Sequence, residues 1–352
     1  MERINSAVIG LGRIGGLLEE DSLREKPCTH TGAIAANQDC VLAAGCDIDE
    51  ERRRLYAEKR QVPVYADAQE MLRLHQPQIL VIATHPDSHY HYCRLAAETG
   101  VPVVICEKPL ADTIRLARKI AALGSKGLTV ITNHERRYSA DYIRARGILE
   151  ASIHGGGRLG RLLSVRAVLY MGKTRRLLDV FWHDGTHLAD AIMFLTGLAL
   201  RHIRRWGAPL NAHAGTAWLE GMLHNGKDAP VPAIIEIDAG RDHRDPAAIP
   251  VLIEVGAGRD HLVFEIEFSC ERGRLRIGNG VFEIHESVPS PYAEQFRSLK
   301  QTGETFEGPT GYFANMLADA VACVREPGRR PRSSAADGLR VIEYLNSVKA
   351  WR

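Results

Sequence analysis

No sign of charge dominates this chain. Its 45 Lys and Arg stand against 43 Asp and Glu, a formal net charge of +2. There is therefore no global basic field to recruit nucleic acid or an acidic membrane. Local basic clusters at Arg201, Arg204 and Arg205, and at Arg329, Arg330 and Arg332, lack interleaved aromatics and any nucleic-acid motif, and read as solvated faces. No apolar run approaches the ~18 residues needed to span a bilayer. The N-terminus goes directly into "INSAVIGLG", a strand and not a signal peptide. The seven cysteines include no CxxC pair, and most sit in apolar surroundings, so buried thiols in a reducing cytoplasm are expected. Repeats, low-complexity tracts and long linkers are also missing. What is present is ordinary for a globular protein: 352 residues, 45% apolar and 25% charged, enough for two domains with their own cores.

The first ~130 residues alternate short β runs with helical stretches. "INSAVIGLG", "VLAAGCD", "QILVIAT", "VPVVIC" and "LTVITN" read as strands. "DEERRRLYAEKR", "SHYHYCRLAAETG" and "LADTIRLARKIAALGSKG" read as helices. That rhythm predicts a doubly wound parallel sheet with helices on both faces. Beyond ~150 the pattern changes. "GRLLSVRAVLYM", "PAIIEIDAG", "PVLIEVGAG" and "HLVFEIEFS" carry charges at intervals, and in the last Phe264, Ile266 and Phe268 alternate with Glu265 and Glu267. This predicts a mostly antiparallel sheet, one face on helices and the other more polar, with turns at Gly273 and at Asn279-Gly280. An amphipathic helix closes the chain. The expected division is residues 1–133 and 134–352, with the C-terminal helix able to pack back on the first domain.

Chemistry-bearing residues fall at strand ends. Gly10, Gly12 and Gly15 form a GxGxxG with Arg13 and Ile14, suited to cradle a pyrophosphate. The second strand ends on Asp47, followed by Ile48. A carboxylate there accepts both hydroxyls of an adenosine ribose and repels a 2'-phosphate, which favours NAD over NADP; Arg52 and Arg13 would soften that exclusion. Gly15 to Asp47 is 47 − 15 = 32 positions, against the usual ~20. The excess falls in "EEDSLREKPCTH", an inserted loop. Thr84, His85 and Pro86 end a third strand at the edge where such sheets bind ligands, and His89 either reaches the cofactor or is a surface histidine. "EKP" ends the next strand with Glu107, Lys108 and Pro109. Alone it is either a charged turn or a lysine held for chemistry.

GLGRIG, Asp47, "THPDSH", "CEKPLA", "NHERRY" and "HDGTHLAD" occur in the order and spacing of the Gfo/Idh/MocA oxidoreductases, which this chain resembles along nearly its whole length. The resemblance implies a Rossmann domain followed by an α/β domain with a large open sheet, a sheet that forms homodimer or homotetramer contacts in relatives. It implies that Lys108 lies beside nicotinamide and the substrate hydroxyl, and that His187 is an acid/base for that hydroxyl. The family pattern D-x-G-x-H-x-x-D matches Gly185, His187 and Asp190, but its first aspartate is His183 here. Asp184 would substitute for it, or His183 would bind substrate. His183 and His187 at four apart also suit zinc, but no third ligand is evident, and no metal is expected. Arg137, Tyr138, Tyr170, Lys173 and Arg176 are expected to line a substrate pocket, for which a basic surface loop is the alternative.

The implied activity is hydride transfer between NAD and a secondary alcohol or ketone of a sugar, cyclitol or sugar-nucleotide. Two other classes stay open: a relative that retains NAD and uses transient oxidation for elimination or glycoside hydrolysis, and a non-catalytic dinucleotide sensor. Expected partners are a small polyol or sugar and further copies of the chain, not nucleic acid or membrane.

Overall fold

A computed structural model describes residues 2–154, 156–172, 175–224 and 248–350. These fall into two compact units, 1–140 with 308–343, and 141–307 with 344–352. The boundary differs from a cut at 133/134. Residues 308–343 return to the first unit because the helix they contain packs on its sheet.

In the first unit, β1 (Ile4–Ile9), β2 (Cys40–Cys46), β3 (Val64–Tyr65), β4 (Ile79–Ile82), β5 (Val103–Cys106) and β6 (Thr129–Thr132) make one six-stranded sheet in the order β3-β2-β1-β4-β5-β6. All its pairings are parallel. Successive side chains of a strand point to opposite faces, so each strand feeds two cores. Ala7, Ile9, Leu80, Ile82, Val104 and Cys106 join one core. It is completed by residues of α3 (Ala68–His75), α4 (His89–Glu98) and α5 (Ile114–Ala122). Val8, Ile79, Val81, Val103 and Ile105 join the other, closed by α1 (His30–Ala36) and by Phe313, Met316, Leu317 and Ala320 of α9 (Tyr312–Arg325). Strands buried on both faces read as continuous apolar runs, as β4 and β5 do here. The strand order reverses between β1 and β4, and the crevice at that switch point, at the carboxyl ends of the strands, is where open sheets of this kind bind ligands.

Side chains set the helix starts. Thr29 accepts the Gly32 N–H, Asp49 accepts the Arg52 N–H at the head of α2 (Glu50–Arg60), and Thr113 accepts the Leu116 N–H.

Among its described residues the second unit carries an eight-stranded sheet in the order β14-β13-β12-β11-β7-β10-β9-β8. Its strands are β7 (Leu162–Met171), β8 (Ala199–Gly207), β9 (Gly215–His224), β10 (Ile249–Ala257), β11 (Val263–Cys270), β12 (Gly273–Gly278), β13 (Val281–Pro289) and β14 (Arg297–Gln301). Only β7 and β10 pair in parallel. Phe264, Ile266 and Phe268 are buried, whereas Glu265 and Glu267 lie on the outer face. There Arg276 bridges Glu265 at 2.7 Å and Glu283 at 2.8 Å. The turn at Asn279-Gly280 joins β12 to β13, but the preceding turn is at Glu271-Arg272, and Gly273 opens β12. The expected strand "PAIIEIDAG" lies outside the described residues. Two helices, α7 (Leu177–His183) and α8 (Gly185–Thr196), meet at Asp184, while α6 (Ala140–Ile153) leads into the unit. The last helix, α10 (Ala335–Ala350), ends the described chain. Among the described residues no helix is long and apolar enough to cross a membrane.

Candidate functional site

The glycine loop follows β1 directly. Gly10 takes a φ of +93°, open to glycine, with Ala83 packed against it. A Cβ on Gly15 would overlap the Gly10 carbonyl oxygen. At Gly12 the added Cβ would meet only the Arg52 Nη1, 3.8 Å away. Gly10 and Gly15 are therefore demanded by close backbone packing, and Gly12 leaves space beside the loop that a Cβ would take up. That is the arrangement a pyrophosphate needs. The loop does not open a long helix. Gly16 and Leu17 N–H groups bond back to the Gly12 carbonyl, a short 3-10 turn follows at Leu17–Glu20, and α1 starts only at His30. The inserted segment between them accounts for the long spacing to Asp47.

Asp47, at the end of β2, is 6% exposed. Its Oδ2 accepts the Leu11 N–H at 2.8 Å and its Oδ1 the Asp49 N–H at 3.0 Å. Each oxygen keeps a further lone pair for a ribose hydroxyl. Arg52 Nη1 stands 3.7 Å from Oδ2. Ile48 beside it is 84% exposed.

At the end of β4, Thr84 Oγ1 and Ser88 Oγ are 2.7 Å apart, and Ser88 Oγ donates to the His85 carbonyl at 2.8 Å. His85 is exposed and Pro86 half-buried. His89 is fully buried, with Nε2 3.1 Å from the Thr84 carbonyl and Nδ1 3.2 Å from the Leu110 carbonyl. Burial pushes its pKa down. A neutral ring has one N–H and donates to only one of these two carbonyls, so His89 packs between the loop after β4 and the loop after β5 with one hydrogen bond at a time.

At the end of β5, Glu107 is 7% exposed and Lys108 half-buried. The Lys108–Pro109 peptide is cis. Glu107 Oε1 meets His30 Nε2 at 2.8 Å and accepts from Asn133 Nδ2; Oε2 accepts the Lys108 N–H at 3.3 Å. Burial raises the Glu107 carboxyl, but the His30 bond and charge, the Asn133 bond and the Lys108 charge together hold it below its ordinary value. Glycine loop, ribose acid, Thr84 turn and Lys108 thus stand on one edge of one sheet. His30 was missed by motif reading, and the role of Asn133, the first residue of "NHERRY", was not distinguished; both are polar side chains buried in the fold.

In the second unit every residue of α8 is buried except His187, which is half-buried. Asp184 Oδ2 pairs with Arg175 Nη1 at 2.7 Å. Its carbonyl accepts the His187 N–H at 3.1 Å. His183, the last residue of α7, is exposed.

Residues 4–134 match the family described as the oxidoreductase family with an NAD-binding Rossmann fold, GFO_IDH_MocA. Over that stretch the chain is similar to the Gfo/Idh/MocA oxidoreductases. Among curated relatives, D-apiose dehydrogenase of Paraburkholderia graminis is 25% identical over 87% of this chain and 80% of its own length. Inositol 2-dehydrogenase of Rubrobacter xylanophilus is 28% identical over 46% of this chain and 43% of its own length. The chain spans about half the length of the first curated relatives it matches. A dehydrogenase structure from Chromobacterium violaceum superposes with a TM-score of 0.74 at 16% identity, covering 99% of this chain and 95% of that one, which shows a shared fold.

Several residues expected at the family's site stand elsewhere. His183 and His187 are not neighbours on one helix face: Asp184 ends α7 and heads α8, so the pair is split between two helices. Tyr138 is 0% exposed; its hydroxyl donates to Asp319 at 3.0 Å and accepts the Ser333 N–H at 3.2 Å. Arg137 is buried, 3.4 Å from Asp337, and donates to the Arg332 carbonyl. Both hold the returning segment to the first unit, so neither is a pocket-lining residue. Tyr170 lies on the outer face of the second sheet with its hydroxyl on Glu254, and Arg176 pairs with Asp179 at 3.0 Å on the surface. His89 is the interior residue described above, not a cofactor contact. Lys173 lies outside the described residues. Among those described, no group of three His, Cys, Asp or Glu could hold a metal ion.

Proposed function

We propose that this chain is a Gfo/Idh/MocA oxidoreductase, an NAD-dependent dehydrogenase or reductase of a sugar or cyclitol, acting on a secondary alcohol or its ketone. The observation that carries the reading is the meeting of the Gly10–Gly15 loop, Asp47 and Lys108 on the carboxyl edge of one parallel sheet. The bound nicotinamide dinucleotide supplies the hydride acceptor or donor. The chain's own residues do the rest. The N–H groups around Gly12 take the pyrophosphate, and the free lone pairs of Asp47 take the ribose hydroxyls. Lys108 presents an ammonium to the substrate oxygen, where negative charge grows as the hydride moves, and can give or take its proton. Glu107 fixes the backbone of that lysine. His187 enters the reading through its motif and as the one residue of α8 that is not buried.

Asp47 favours NAD because a 2'-phosphate would face its charge; Arg52, 3.7 Å away, weakens that discrimination without removing it. Relatives named D-apiose dehydrogenase and inositol 2-dehydrogenase support a polyol-type substrate. A retained-cofactor mode of elimination or glycoside cleavage is the second reading. An NADH-fluorescence screen over sugars, inositols, sugar acids and sugar-nucleotides tests both. Accumulating NADH supports the dehydrogenase; NADH that rises and returns to baseline supports the second reading. No response to any class overturns the first.

A further inference from the structure

His30 stands at the junction of two loops that are far apart in sequence. Its backbone N–H donates to the Ile14 carbonyl at 3.2 Å, and Thr31 donates to the Gly15 carbonyl through its N–H at 3.1 Å and also through Oγ1. Those contacts lie on the underside of the phosphate loop. Its imidazole runs the other way, to Glu107 Oε1. The ring packs edge-on to Phe313 at 5.0 Å between centroids, which leaves it little rotational freedom. His30, Glu107 and Asn133 are all buried.

The protons of this cluster can be assigned. Glu107 is held below the ordinary carboxylate range, so it is ionised near neutral pH and only accepts. The hydrogen in the His30–Glu107 contact therefore sits on Nε2. Oε1 receives two donors, His30 and Asn133, and Oε2 is left for the Lys108 N–H. A buried carboxylate deprived of a donor is costly and shifts to find another partner. Here the nearest adjustable partner is the backbone of Lys108.

We propose that His30 is a positioning residue for Lys108: by fixing Glu107 from the phosphate-loop side, it holds the lysine and the dinucleotide site in one frame. This rests on the reading of Lys108 as the group that meets the substrate oxygen. A packing role needs only the shape of the imidazole. A positioning role needs its Nε2–H, which glutamine supplies from its amide nitrogen and leucine does not.

The test uses the full chain with His30→Gln, His30→Leu and Asn133→Ala. Each protein receives a trace of acetic anhydride, and mass spectrometry gives the labelling rate of Lys108 relative to the exposed Lys126. The expected result is a change of about threefold or more in that ratio for His30→Leu, the scale of one lost hydrogen bond, with His30→Gln close to wild type. NADH affinity by fluorescence titration should stay near wild type in both, because the backbone bonds to Ile14 and Gly15 survive. A ratio unchanged in His30→Leu, or changed equally in His30→Gln, overturns the proposal. Should His30→Leu fail to fold, Asn133→Ala removes the second donor to Oε1 and is read by the same criterion: an altered ratio supports the proposal, an unaltered one overturns it. Failure of the underlying reading looks different. Lys108→Ala with full turnover would remove the lysine's chemical role while leaving the labelling result intact.

Discussion

The carboxylate of Asp47 accepts the Leu11 N–H at 2.8 Å, so the acid expected to read the ribose also braces the phosphate loop. Asp47→Asn keeps an oxygen for Leu11 and removes the charge. NAD affinity should fall by about tenfold, roughly 1.4 kcal/mol, while NADP affinity rises toward it. Fluorescence titration with both reduced dinucleotides measures this, and a variant with an unchanged NADH/NADPH ratio would show that the charge does not discriminate.

The loop glycines should separate folding from binding. Gly15→Ala drives a Cβ into the Gly10 carbonyl and should cost about 1–3 kcal/mol of stability, the range of overpacking. Gly12→Ala meets only the end of Arg52, so it should melt with the wild type yet bind NADH poorly. Thermal melts beside titrations decide it; a Gly12→Ala protein with full affinity would remove the loop as the pyrophosphate site.

Lys108→Ala should lower turnover by about 10²–10³-fold, the loss associated with one donor to a developing oxyanion. NADH binding should persist. The measurement is turnover on a substrate found by the screen, with a binding titration beside it.

His187→Gln should lower turnover by about 10²-fold or more, as expected for an acid/base. His183→Gln should do far less, because His183 ends α7 at the surface. Equal losses in the two variants would restore His183 to the site.

Acid should weaken the fold through His202. Burial first, then the Arg205 charge, pushes its pKa from an ordinary 6.5 down to about 4. Between those values the unfolded chain binds a proton that the folded one refuses. This contribution to stability is whole above pH 6.5 and declines as pH falls toward 4. His202→Phe should therefore lose less stability than wild type between pH 7 and 4.5 in urea melts. A parallel decline would assign the sensitivity to other groups.

Much of this was legible in the sequence because it is local. Two-sided burial writes β4 and β5 as unbroken apolar runs, and a one-sided sheet writes β11 as an alternation. The glycine loop and EKP are likewise contiguous. What escaped was made by distant partners. Nothing beside Tyr138 in sequence announces Asp319 or Ser333, which bury its hydroxyl. Nothing near His30 announces Glu107, 77 positions away. β8 and β9 escaped because their Arg201, Arg204, Arg205 and Glu220 broke the apolar pattern. The break at Asp184 was hidden because "HDGTHLAD" suits one continuous helix as well as two.

The return of residues 308–343 bears on how such a protein can be cut and recombined. The nucleotide-binding half is not an N-terminal cassette. A fragment ending at Ala140 would leave Val8, Val81 and Ile105 without the apolar face of α9 and would expose that side of its sheet to other chains. A graft carrying only residues 4–134, the stretch matched by the family, would inherit the same bare surface. Any swap of the second unit must therefore exchange residues 141–307 and 344–352 together, at three splice points and not by a fusion at one.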